Sequence, residues 1–295
     1  MLFEVPYNFN KSLISFYKQH SSFINFLFLP PYKEDSTNTR TYVETKKKGY
    51  CYMPQSRDEY EDHILQIKAS GLKFVVLWQV PNNIISQETL NYYYDLGASG
   101  FIVANDQNAK IIKDFNANLL VVCSLVQRLC ANILKKDLRY YDYILLYYPF
   151  NRSIDALKQL THLKDKIILM PNTLCHIDCP SLHHWFPSKN RPFIQERDCM
   201  VLKDIEKYVK KSGFISPEHL YLFDNYVGGY KLQGREYTTE LLKHICQIYF
   251  KRKSPKKLLD TMLGDDLSSQ LQKKIDSMSP EEYYNVNTQK IINIL

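Results

Sequence analysis

The chain alternates. About eight short apolar runs recur along it, among them "LFEVPY", "INFLFL", "KFVVLWQV", "GFIVAN", "NLLVVCSL", "YDYILLYYP", "KIILMP" and "GYKLQGRE". Between them the apolar residues shift to helical spacing, as in "SLISFYKQH", "DEYEDHILQIKASGL", "DQNAKIIKDF" and "SIDALKQLTHL". These short apolar runs read as strands, and strands alternating with helical patterns argue for a parallel sheet. Eight such strands with intervening helices predict a closed (β/α)8 TIM-like barrel. The competing arrangement is a doubly wound open sheet. It is weakened because no Gly-rich dinucleotide loop follows the first strand.

Punctuation along the chain agrees with this alternation. "DEYEDHILQIKASGL" has acidic residues in its first turn and a glycine at its end. "SQETLNYYYDLG" opens on Ser86 as a cap and stops at Gly97. One connection is unusual: "KEDSTNTRTYVETKKKGYCYMPQSR" is too long for an ordinary loop, which marks it as functional or partly flexible. Residues 1–235 are assigned to the barrel. Residues 236–295, with "YTTELLKHICQIYFKR", "PKKLLDTML" and "SSQLQKKIDSM", are assigned to a C-terminal helical appendage packed on it.

Composition excludes several classes. No apolar run is long enough to span a bilayer, so no membrane insertion is expected. The N-terminus lacks a basic start followed by a long apolar segment, and the default expectation is a cytoplasmic protein. Seven cysteines in 295 residues do not form a secreted disulfide scaffold. Cys123, Cys130 and Cys246 sit in apolar-patterned segments and read as buried thiols. The net charge of +7 permits an anionic partner without requiring one. The clearest basic run, "YFKRKSPKK" from Tyr249 to Lys257, is a solvated face or an anion contact.

The chemistry concentrates after the seventh apolar run. "MPNTLCHIDCPSLHHWF", from Met170 to Phe186, holds two cysteines, three histidines and an aspartate. Barrels place their active sites at the carboxyl ends of the strands, where this segment begins. Cys175 and Cys179 are spaced to reach one metal centre, Cys199 follows, and Cys51 lies in the long connection after the second strand. Four thiolates are what a [4Fe–4S] cluster needs. Zinc is the alternative, because it also accepts four thiolates or a mixture with histidine. A radical-SAM pattern would need a third cysteine at position 182, where leucine stands.

These residues resemble a known family. "NTLCHIDCPSLHHWF" is similar to the "N-x-x-C-x-x-x-C-P … H" segment of the collagenase-like peptidase family U-32. "DLGASGFIVAND", "NLLVVCSLVQRLCAN" and "SGFISPEHLYLFDNYVGGYKLQGRE" resemble further segments of that family in the same order, the last matching "I-x-P-E-x-L … G-x-x-x-x-K-I-x-G-R". The resemblance implies cluster ligation by Cys175, Cys179 and Cys199; Cys51 is assigned as the fourth ligand from its place in the connection after the second strand, which the resemblance does not align. It implies oxygen-independent hydroxylation of an aromatic small molecule or an RNA base, with prephenate a proposed oxygen donor. It also implies, as in the short paired members, a heterodimer with a paralogous barrel protein. The chain departs from the family where an arginine often follows the Cys-Pro pair: Leu182 and His183 stand there.

Other residues are candidates on their own chemistry. His184 is an acid–base group or a ring packed on Trp185. Glu4 points inward or out; inward, it is a candidate catalytic residue that needs a cationic partner, and Lys231, itself a candidate substrate-binding residue, or Arg235 can supply one. Arg235 is suited to clamp a carboxylate or to close the barrel by a salt bridge. Asn105 ends a strand at the expected active face, with Asp106 read as a helix cap. Asn172 orients the cysteine segment or contacts substrate. Two readings stand: an iron–sulfur hydroxylase-like enzyme acting on a small aromatic molecule or RNA, or a non-catalytic metal-binding subunit that partners a catalytic paralogue. Peptidase activity is not expected, since no nucleophile elbow or H-E-x-x-H segment occurs.

Overall fold

The structure is a computed structural model that describes residues 1–35, 54–80, 82–125, 133, 137–173, 212–235, 237–253, 273 and 277–285. Eight parallel strands close into one barrel in sequence order: β1 (Leu2–Pro6), β2 (Ile24–Leu29), β3 (Phe74–Trp78), β4 (Gly100–Val103), β5 (Leu120–Cys123), β6 (Tyr143–Leu145), β7 (Ile167–Leu169) and β8 (Gly229–Lys231). β1 pairs with β8, with Glu4 opposite Lys231, which completes the ring. The expected (β/α)8 barrel is therefore the fold.

The helices form where the sequence punctuates them. They are α1 (Ser12–Gln19), α2 (Arg57–Ala69), α3 (Gln87–Asp95), α4 (Asp106–Phe115), α5 (Ile154–Gln159), α6 (Thr239–Lys251) and the short α7 (Pro280–Tyr283). Ser56 caps α2 by accepting from the Glu59 amide, and Ser86 caps α3 by accepting from that of Thr89. α3 ends at Gly97, whose φ of 94° only glycine adopts without strain. "EHLYLFDN" forms a 3₁₀ turn, Pro217–Leu222. The expected helices at "VQRLCANILKK", "PKKLLDTML" and "SSQLQKKIDSM" lie almost wholly outside the described residues, as does "KDIEKYVKKSG".

Side chains alternate along each strand. One parity forms the outer core between strands and helices, with Phe3, Val5, Leu27, Val76, Trp78, Phe101, Ile144 and Tyr230 among its members. The other parity fills the barrel axis in two adjoining clusters: Phe26, Phe28, Val75, Leu77, Ile102 and Val122, then Leu145, Ile168 and Met170. α6 follows β8 and packs beside α1, where the Tyr17 hydroxyl lies 4.0 Å from Cys246 Sγ and Phe250 packs on Phe3 at 5.3 Å. No helix among the described residues is long and apolar enough to cross a membrane.

Candidate functional site

The barrel axis is apolar except on one side. Glu4 of β1 and Lys231 of β8 share the inward parity and are 1% and 4% exposed. The Lys231 ammonium stands 3.7 Å from Glu4 Oε2, too far for a hydrogen bond. Among the described residues, neither Glu4 oxygen nor Lys231 Nζ has a hydrogen-bond partner. Instead Nζ sits 3.8 Å from the centre of the Phe28 ring, a cation–π contact. Phe28 is level with Pro6, two residues beyond Glu4, so the ammonium reaches toward the carboxyl end of the barrel.

Burial dominates the electrostatics of this pair. It raises the Glu4 carboxyl from 4.5 to about 7, although the charge of Lys231 pulls the other way. It lowers the Lys231 ammonium from 10.5 to about 8, opposed by Glu4 and assisted by the positive charge of Arg235. Arg235 is half-buried. Of the two partners anticipated for Glu4, Lys231 is the one at contact distance.

Above the pair, amide side chains tie strand ends together. Asn172 Nδ2 donates to the Gln233 carbonyl at 3.0 Å, the Gln233 amide donates to Asn172 Oδ1 at 2.9 Å, and Gln233 Nε2 donates to the Asn172 carbonyl at 2.9 Å. This joint extends the β7–β8 pairing past the last ladder residues. On the other side of the mouth Gln79 Nε2 donates to Ser124 Oγ at 2.9 Å. We expect Asn172→Ala to lose two of the three bonds and to cost about 1–3 kcal/mol in urea unfolding. A loss below about 0.5 kcal/mol would show the joint to be dispensable.

Asn105, anticipated at the active face, is the cap of α4: its Oδ1 accepts from the Asn108 amide at 2.7 Å. Asp106, anticipated as the cap, is instead the first helical residue and accepts from the Tyr141 hydroxyl at 2.5 Å. Both serve the strand-to-helix turn. In the basic run, Arg252 is ion-paired with Asp224.

The remaining predicted positions, Cys51, Cys175, Cys179, Cys199 and His184, lie outside the described residues. Their connections in the chain are known: Cys51 falls between β2 and α2, and the other four follow β7. The described cysteines, Cys123 and Cys246, are buried, and burial pushes the Cys246 thiol up to about 12. Thiols of that kind are structural and unsuited to metal binding. Among the described residues no group of three or more His, Cys, Asp or Glu side chains is placed to hold a metal ion.

Sequence reasoning missed Gln79, Ser124 and Gln233. A signal for them existed: each lies two residues beyond an inward strand residue, Leu77, Val122 and Lys231. Counting parity past the strand ends would have brought them to the mouth.

No protein-family model matches the chain, and no curated protein matches it. Among solved structures, a U32 peptidase matches with a TM-score of 0.52 and 12% identity, over 79% of this chain and 93% of that one. A tryptophan synthase α-subunit from the hyperthermophile Pyrococcus furiosus gives a TM-score of 0.43 at 13% identity, over 94% and 96%. An O-GlcNAc hydrolase of Thermobaculum terrenum gives 0.45 at 12% identity, over 95% and 67%. At these identities the likeness is one of fold, and the U32 peptidase is the one of the three above a TM-score of 0.5.

Proposed function

We propose that this chain is a U32-like barrel protein carrying a [4Fe–4S] cluster at its mouth, held by Cys51, Cys175, Cys179 and Cys199, and taking part in oxygen-independent hydroxylation of a small aromatic molecule or an RNA base. The observation that carries this reading is the Asn172–Gln233 joint. The two most specific parts of the family resemblance are the segment opening "NTLC" and the segment "YKLQGR". Three hydrogen bonds hold their strand ends side by side. The U32 peptidase likeness supports the fold on which the reading rests.

Four thiolates are the donor set such a cluster takes. The buried thiols at Cys123 and Cys246 do not compete for metal, and the four proposed ligands fall in connections that follow β2 and β7. When bound, such a cluster would supply electrons at the barrel mouth. The chain's own residues would do the rest. Asn172 fixes the start of the cysteine segment against β8. Arg235 presents positive charge to an anionic substrate. His184 would serve as an acid–base group beside the substrate.

A second reading is a non-catalytic subunit in a heterodimer with a catalytic paralogue, its metal cluster or zinc ion being structural. Mouth amides bonded to one another rather than left open favour it. Anaerobic purification with iron, sulfide and zinc analysis tests the first reading. About four irons and four sulfides per chain with a broad visible absorption are expected. Zinc alone would replace the cluster with a structural site. No metal at all would remove both.

A further inference from the structure

The Glu4–Lys231 pair has no structural need. The inward positions of the other strands are uncharged, filled chiefly by Phe, Val, Leu and Ile with Tyr143 beside them, and so desolvate no charge. Here a carboxylate and an ammonium are both buried, face each other at 3.7 Å and leave three polar atoms without a hydrogen-bond partner among the described residues. Burying charge without hydrogen bonds destabilises a fold, so such a pair points to chemistry.

From this geometry we propose that Lys231 is an amine nucleophile that forms an imine with a small 2-oxo acid, and that Glu4 is the acid–base group that moves the protons. The placement suits each role. The Lys231 amine is held in an apolar shell against Phe28, on the mouth side of the pair. Desolvation favours the uncharged amine, which is the reactive form. The Glu4 carboxyl lies within a small shift of Nζ and retains its proton near neutrality for the same reason. The positive charge of Arg235 acts on this end of β8 and would favour a substrate that carries a carboxylate beside its carbonyl.

The steps balance. The ion pair first becomes a neutral amine and a carboxylic acid by one proton transfer from Nζ to Glu4. The Nζ lone pair attacks the carbonyl carbon, the C–N bond forms, and the carbonyl oxygen takes the proton from Glu4. Glu4 then removes a proton from nitrogen and returns it to the departing hydroxyl, which leaves as water. The product is an iminium ion beside the Glu4 carboxylate, with no oxidant or reductant consumed. Nothing in this sequence involves a cluster, so the inference stands or falls separately from the proposed function.

The test is reductive trapping on the full-length protein. Pyruvate is the probe, borohydride reduces any imine to a stable secondary amine, and peptide mapping by mass spectrometry locates it. The expected result is one adduct per chain, at Lys231. An unmodified Lys231, or adducts spread over surface lysines without it, would overturn the inference. Lys231→Met, folded by circular dichroism, should give no such adduct; an unchanged yield would also overturn it. Glu4→Gln keeps the amine and should slow trapping by about 10²-fold. An unchanged rate in that variant would remove Glu4 from the mechanism.

Discussion

Replacing both members of the buried pair, Glu4→Leu together with Lys231→Met, is expected to raise the unfolding free energy by about 1–4 kcal/mol. Both ions are desolvated, their separation exceeds a hydrogen bond, and apolar neighbours of the same parity surround them. The mutual attraction offsets only part of that desolvation, as the displaced proton affinities of both groups indicate. The pH dependence gives the sign independently. The carboxyl of Glu4 binds its proton more tightly folded than unfolded, so its contribution is full below about 4.5 and is lost as pH rises through about 7. The ammonium of Lys231 binds its proton less tightly when folded, so its contribution is full above about 10.5 and is lost as pH falls through about 8. The pair therefore stabilises least between about 7 and 8. Shifts of this size correspond to effects on the order of 3 kcal/mol on either side. Urea unfolding at pH 5, 7.5 and 9 would show the dip in the natural chain and none in the double variant. Lys231→Met alone removes the group that titrates on the alkaline side, so the rise in stability from pH 7.5 to pH 9 should vanish while the fall from pH 5 to pH 7.5 remains. A double variant less stable than the natural chain at pH 7.5 would mean that the pair is held by interactions stronger than its geometry indicates.

The largest all-or-none effect is expected at the cysteines. Under the proposed function, Cys175→Ala and Cys179→Ala should each abolish stoichiometric iron and sulfide binding in anaerobically purified protein. Cys246→Ala should retain it, because that thiol is buried beside Tyr17 and stays protonated. The Cys246 change would register instead as a modest loss of stability from a small cavity between α1 and α6. Equal metal content in all three variants would sink the cluster assignment.

The strands were legible because each carries apolar residues on both parities, which only a doubly covered sheet requires. The run "YDYILLYYP" shows the limit: only Tyr143–Leu145 pairs as strand, and Tyr148–Arg152 turns into a 3₁₀ segment. Hydrophobicity continues across that change, since Tyr148 and Phe150 are buried in the turn as deeply as strand residues. Glu4 stood out as a charge inside an apolar run, and its need for a cation led to β8. The choice between Lys231 and Arg235 depended on register, which apolar patterning does not encode. Asn105 takes the cap role expected of Asp106 because either side chain can cap a helix. The fine structure of the turn selects Asn105 and leaves Asp106 to receive Tyr141. The mouth amides were missed because glutamine and serine just past a strand look like ordinary loop residues.

The closing contact between β1 and β8 also has a consequence for how the protein is made. Residues 2–4 take their β8 partners from residues 229–231, so the first strand synthesised waits for nearly the last. A nascent chain growing at about 5–20 residues per second leaves β1 without that neighbour for roughly ten seconds or more. During that interval one edge of β1 presents unpaired backbone groups, and the edge of β7 destined for β8 does the same once it emerges. Biogenesis of this barrel is thus most exposed to mispairing before its C-terminal quarter leaves the ribosome, and truncations upstream of Gly229 would make that exposure permanent.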